Sequence, residues 1–106
     1  KQNNTEAVKW LKKAANQNDT ESQMILGDMY YDGDGVKENK TEAIKWYQKA
    51  AENNNSRAQA IVGVAYMGGI GVKQNFATAK EWFGKACDNK EQKGCEMYKQ
   101  LNQGTK

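Results

Sequence analysis

Two cysteines, Cys87 and Cys95, are the residues of this chain best placed for covalent chemistry, and they stand eight positions apart. A separation of that length, crossing a helix end, a turn and the next helix start, can bring two Cβ atoms together. Two readings compete. A metal or redox site needs more than is present: two thiolates without histidine make half a zinc site, and the spacing is not the C-x-x-C of thiol oxidoreductases. A disulfide needs no further residue. It would contribute about 2.5 kcal/mol through loop closure and would imply an oxidising compartment.

Other reactive arrangements are missing. The 106 residues contain no histidine, so Ser–His and Cys–His catalysis and histidine-based metal centres are excluded. The only serines are Ser22 and Ser56, and three residues on stand Ile25 and Gln59, so the Ser-x-x-Lys arrangement of penicillin-recognising enzymes is absent. Gly33-x-Gly35 and Gly69-x-Gly71 lack the preceding strand and the Lys-Ser/Thr of a phosphate loop and read as turns. Asp32 and Asp34 invite a calcium reading. In that register Val36, Lys37 and Ala43 fall where an oxygen ligand, a glycine and a glutamate are required. Glu42 and Glu52 read as solvated helix charges. The expectation is a protein that is not an enzyme, with no metal and no cofactor. Net charge is +3, with 16 basic residues spread among 13 acidic ones, too mild and too mixed for nucleic acid. No apolar run approaches the length needed to insert in a membrane.

The elements that carry these residues repeat. Trp82-Phe83-Gly84-Lys85-Ala86-Cys87 is matched 36 residues earlier by Trp46-Tyr47-Gln48-Lys49-Ala50-Ala51, and again by Trp10-Leu11-Lys12-Lys13-Ala14-Ala15. A fixed, ungapped period of this length is the signature of a solenoid. Ala7, Trp10, Leu11 and Ala14 follow the i, i+3, i+4, i+7 spacing of an amphipathic helix over about 5–16. Further helices are expected over about 21–31 and 41–52, around Ala58–Tyr66, over 76–87, and over 95–101 after a turn running from Asp88 to Gly94. There is no proline and no alternating β-branched run. The fold class is therefore all-α: an α/α superhelix of antiparallel helix pairs, six helices in one domain of residues 1–106, with units at about 5–40, 41–76 and 77–106. Gly27 and Gly63 sit inside helices, where glycine costs up to about 1 kcal/mol relative to alanine, so close helix packing is expected there. The Trp10, Trp46, Trp82 stripe is expected in the core. In the last unit Lys99 replaces that glycine, and the unit reads as a polar cap.

These residues resemble the Sel-1-like repeat family, a relative of the tetratricopeptide repeats. The family pattern is carried as Ser22, Leu26-Gly27, Tyr30, Gly33-Asp34-Gly35-Val36, Ala43, Trp46 and Lys49-Ala50-Ala51. It returns as Ala58, Val62-Gly63, Tyr66, Gly69-Ile70-Gly71-Val72, Ala79, Trp82 and Lys85-Ala86-Cys87, with Val62 and Cys87 as mild departures. Lys85-Ala86-Cys87 followed by Cys95 is similar to the cysteine-rich bacterial subgroup, in which such cysteines pair across the helix turn; one unit of the three has the pair. The resemblance implies a right-handed superhelix acting as a scaffold for a protein or peptide partner, in a periplasmic or secreted bacterial protein whose signal peptide has been removed. It also carries an alternative, since penicillin binding and β-lactamase activity have been attributed to the cysteine-rich members. By analogy with tetratricopeptide repeats, the helix bearing Leu-Gly-x-x-Tyr lines the concave face. The expected partner-binding residues are then Gln23, Met24, Asp28 and Tyr31, with the shifted set Gln59, Ala60, Val64 and Met67. The chain itself is expected to be a monomer.

Overall fold

A computed structural model describes the backbone of residues 2–104 and the side chains of residues 5–103. The described residues form six helices and no strand: α1 (Gln2–Asn16), α2 (Thr20–Asp32), α3 (Lys40–Glu52), α4 (Ser56–Gly68), α5 (Phe76–Asp88) and α6 (Gln92–Gly104). Each packs on the next in chain order. The stack measures 50 × 23 × 17 Å, with a radius of gyration of 14.3 Å. A globule of this length would have about 13 Å, so the chain forms a short rod, as a solenoid should.

Two kinds of connection alternate. The short ones, after α1, α3 and α5, turn through one residue at positive φ: Asn18 at 73°, Asn54 at 72° and Lys90 at 69°. Asparagine tolerates this left-handed conformation and lysine does so less readily. The longer ones place Gly33 and Gly69 as left-handed caps, with their N–H groups on Met29 O and Ala65 O. They deliver asparagine to the next helix start. Asn39 Oδ1 accepts from the Glu42 N–H at 3.0 Å, and Asn75 Oδ1 accepts from the Thr78 N–H at 3.0 Å. Asn55 caps α4 in the same way, by accepting from the Ala58 N–H at 2.8 Å. At the equivalent position before α2, Asp19 makes no such cap; its carboxylate accepts from the Ser22 hydroxyl at 2.6 Å.

The helical glycines answer to aromatic rings. A Cβ on Gly27 would lie 2.6 Å from the Tyr47 ring, and one on Gly63 would lie 2.7 Å from Phe83. Tryptophan seats each helix on the helices before it. Trp46 of α3 is buried among Val8, Ala15, Leu26 and Met29, and Trp82 of α5 packs on the core that α3 and α4 share.

Two expectations are corrected. Trp10 is not a core residue: it is 60% exposed, with Lys13 Nζ 5.6 Å from its ring centroid. The buried face of α1 is carried by Val8 and Ala15. Second, α6 begins at Gln92 rather than Cys95, so Gly94 belongs to its first turn and not to the connection. Gly94 stands 36 residues after Ala58 and 72 after Ser22, the small residue of the repeat pattern. It is buried, and a Cβ there would meet Ala86 Cβ at 2.6 Å.

Candidate functional site

The eight residues expected to face a partner separate into three groups. Gln23 and Gln59 do not reach the surface, being 1% and 2% exposed. Their amides are used inside the short turns. Gln23 Nε2 donates to Ala15 O at 3.1 Å, and its Oε1 accepts from Asn53 Nδ2 at 3.1 Å. One unit on, Gln59 Nε2 donates to Ala51 O at 3.1 Å, and its Oε1 accepts from Asn89 Nδ2 at 2.9 Å. Asn53 and Asn89 also donate to Asn18 Oδ1 and Asn54 Oδ1, both at 2.9 Å. A buried amide bonded on both sides is a structural tack. Met24 is likewise withdrawn, buried in the core with Ile44 and Tyr47. Met67 is partly exposed and lies away from the cleft described next; its carbonyl accepts from Gln74 Nε2 at 2.9 Å.

Tyr31, Ala60 and Val64 do come together. They line a cleft of about 350 Å³ whose floor is completed by Ile44, Ile61, Ala65 and Ile70. Tyr47 forms part of its wall, and Arg57, Glu91 and Lys93 stand at its edge. Five sources build it: the end of α2, α3, α4, the loop after α4 that carries Ile70, and the start of α6 with its preceding turn. Asp28, the eighth expected residue, holds the wall by accepting a hydrogen bond from the Tyr47 hydroxyl. Burial first, then that hydrogen bond and the Asp28 charge, keep the Tyr47 phenol protonated well above the ordinary tyrosine range. Tyr31 is fixed from its other side. Lys40 Nζ lies 3.7 Å from the ring centroid, donates to Tyr31 O at 2.9 Å and pairs with Glu38 at 2.7 Å. The hydrogen bond from Lys40 to Glu38 raises the lysine pKa.

The cleft thus has an apolar floor, two immobilised tyrosines and a charged edge. The edge was not expected from the sequence. Arg57 and Lys93 are exposed, and neither takes part in the one salt bridge found among the described residues, between Lys40 and Glu38. Arg57 is the only arginine of the chain, a signal the sequence did offer. Lys93 and Glu91 fell in a stretch read as turn.

No cysteine or serine lines the cleft. Cys87 and Cys95 are joined in a disulfide with their Cα atoms 4.4 Å apart, so neither is a free thiol. Ser22 is buried with its hydroxyl committed to Asp19. No group of three or more metal-ligating side chains occurs among the described residues. No described helix is long and apolar enough to cross a membrane.

Comparison with known proteins places this geometry. The sequence pattern of the Sel1 repeat matches residues 1–19, 20–55 and 56–91. Its boundaries run half a unit out of phase with the pairs expected above, joining α2 to α3 and α4 to α5. Among solved structures, a Sel1 repeat protein from Oxalobacter formigenes is 34% identical at a TM-score of 0.85, over 89% of this chain and 39% of that one. A protective antigen of uropathogenic Escherichia coli with an SLR fold is 41% identical at a TM-score of 0.76, over 80% of this chain and 18% of that one. Cysteine rich protein B of Helicobacter pylori is 31% identical at a TM-score of 0.80, over 85% of this chain and 68% of that one. The chain therefore spans well under half the length of the first two. No curated protein matches it.

Proposed function

Because the chain belongs to the Sel1 repeat family, we propose that it is a non-catalytic scaffold that holds a peptide or protein partner in the cleft along α2 and α4. The Sel1 repeat fold typically serves as a protein–protein interaction scaffold. The observation that supports placing the contact here is the cleft itself, with residues from successive units meeting over one apolar floor. The occupant we infer is a peptide segment presenting an aliphatic or aromatic side chain next to a carboxylate. The floor takes the apolar group. Arg57 and Lys93 take the carboxylate and outweigh Glu91 at the same edge. The disulfide supports assignment to an oxidising compartment, periplasmic or extracellular. No observation on the structure favours the β-lactam reading over this one.

Selection of random peptides displayed on phage against the oxidised protein tests the proposal. Enriched peptides should pair an apolar residue with Asp, Glu or a free C-terminus. Their binding should fall at least about tenfold with Val64→Lys or Arg57→Glu, each worth 1.4 kcal/mol or more, and should be unaffected by Lys45→Glu on the far side of α3. Equal loss with all three variants, or no loss with any, would remove the cleft from consideration.

A further inference from the structure

The disulfide occupies a place in the repeat that the other two units fill differently. Cys95 stands at the position of Gln59 and Gln23, and Cys87 at that of Ala51 and Ala15. In the first two units the glutamine ties its hairpin shut by donating to the carbonyl of that alanine. In the third the same two positions are tied by a covalent bond. The disulfide is a replacement for a buried hydrogen bond, at one register and across one turn.

What it holds packs along α5 but adds no fully buried apolar side chain of its own. α2 buries Met24, Leu26 and Met29, and α4 buries Ala58, Ala60, Val62 and Ala65. No apolar side chain of α6 is buried to that degree; Met97 and Leu101 are half-exposed and Tyr98 more so. The turn also contains Lys90 at positive φ, where the other units have asparagine. The loop closed by the disulfide, residues 87–95, contains Glu91 and Lys93 of the cleft edge, and Asn89, whose amide reaches back to Gln59 and Asn54. Both cysteines are partly exposed, so a reductant can reach them.

We propose that the Cys87–Cys95 bond is a redox latch on the cleft: its reduction releases α6 and the Glu91–Lys93 edge while α2 to α4 stay folded. The reductant is a dithiol. One of its thiolates attacks one sulfur of the pair and displaces the other as a thiolate, which takes up a proton. The second thiol of the reductant then resolves the mixed disulfide and leaves as a cyclic disulfide. Two electrons and two protons pass to the protein, and Cys87 and Cys95 become thiols. The effect on partner capture rests on the cleft being the binding site. The release of α6 does not, so the two readings fail separately.

Amide hydrogen exchange, read by mass spectrometry on the full chain with and without dithiothreitol, tests the latch. Removing a closed loop of this size corresponds to up to about 70-fold faster exchange, confined to peptides covering 89–104. Peptides from α2 to α4 should not change. A Cys87→Ala/Cys95→Gln double variant rebuilds the arrangement of the other units. It should be insensitive to dithiothreitol and exchange about three- to tenfold more slowly in α6 than Cys87→Ala/Cys95→Ala, the range expected of one net hydrogen bond. Three results would overturn the proposal: unchanged α6 exchange on reduction, acceleration spread evenly over α2 to α6, or no protection from the glutamine variant.

Discussion

Replacing Gly63 with alanine should destabilise the chain by about 2 kcal/mol, although alanine is the better helix former. The new methyl would lie 2.7, 2.8 and 3.0 Å from Phe83 Cε1, Cδ1 and Cζ. Phe83 is fully buried, so its ring has no solvent to move into. Relieving the overlap costs about 3 kcal/mol, the upper end for inserting one methyl in a packed core, and the gain in helix propensity returns about 1. For a chain of this length the net loss corresponds to a fall of about 10 °C in Tm. Urea unfolding of the oxidised protein, followed by far-ultraviolet circular dichroism, measures it directly. A Gly63→Ala/Phe83→Leu double variant supplies the control. With the ring gone the methyl should be tolerated, and the double loss should fall short of the summed single losses by about 1 kcal/mol or more. If Gly63→Ala is as stable as the parent, or the two losses simply add, the ring does not press on the glycine and the reason given for Gly27 and Gly63 is wrong.

Asn75→Ala removes a side-chain cap and should cost about 1 kcal/mol in the same urea titration. Lys90→Gly relieves a left-handed lysine and should raise stability by up to about 1 kcal/mol, visible as a higher urea midpoint. Burial, with Asp28 second, raises the Tyr47 pKa in the folded chain. Below pH of about 10 both states keep the proton; above it the unfolded chain loses the proton and the folded chain does not, so stability is lost as pH rises past that point. Tyr47→Phe should be less stable near neutrality and show a shallower decline between about pH 10 and 11.5 in unfolding midpoints.

The architecture was legible because it is written three times. A strict 36-residue period, helical apolar spacing and turn glycines all point to the same stack, and the half-repeat that breaks the pattern carries the disulfide. What the period does not encode is which side chains the neighbouring helices cover. Gly94 stands in the first turn of α6, at the register of the helical residues Ser22 and Ala58, and a Cβ on it would lie 2.6 Å from Ala86 Cβ. Gln23 and Gln59 read as surface amides because a polar residue is normally exposed; their burial depends on asparagines 30 residues further on. Trp10 shares its type with Trp46 and Trp82, and only the neighbouring helices decide which tryptophan is covered. The cleft draws on α2, α3, α4 and α6, and no single helix pattern encodes it.

The asparagines at the short turns also decide how such an array can be cut and rejoined. Asn53 completes the amide pair of the hairpin before it, and Asn89 does the same one unit on. A cassette excised at the turn would carry away a donor that its upstream neighbour needs and leave a buried glutamine oxygen unmet, at a cost of about 1–3 kcal/mol. Splices placed in the long glycine loops, between Gly33 and Asn39 or between Gly69 and Asn75, part the same pairs, because Asn53 lies beyond the first loop and Asn89 beyond the second. In grafting or shuffling these repeats, every join must therefore place an asparagine 30 residues after the buried glutamine it serves.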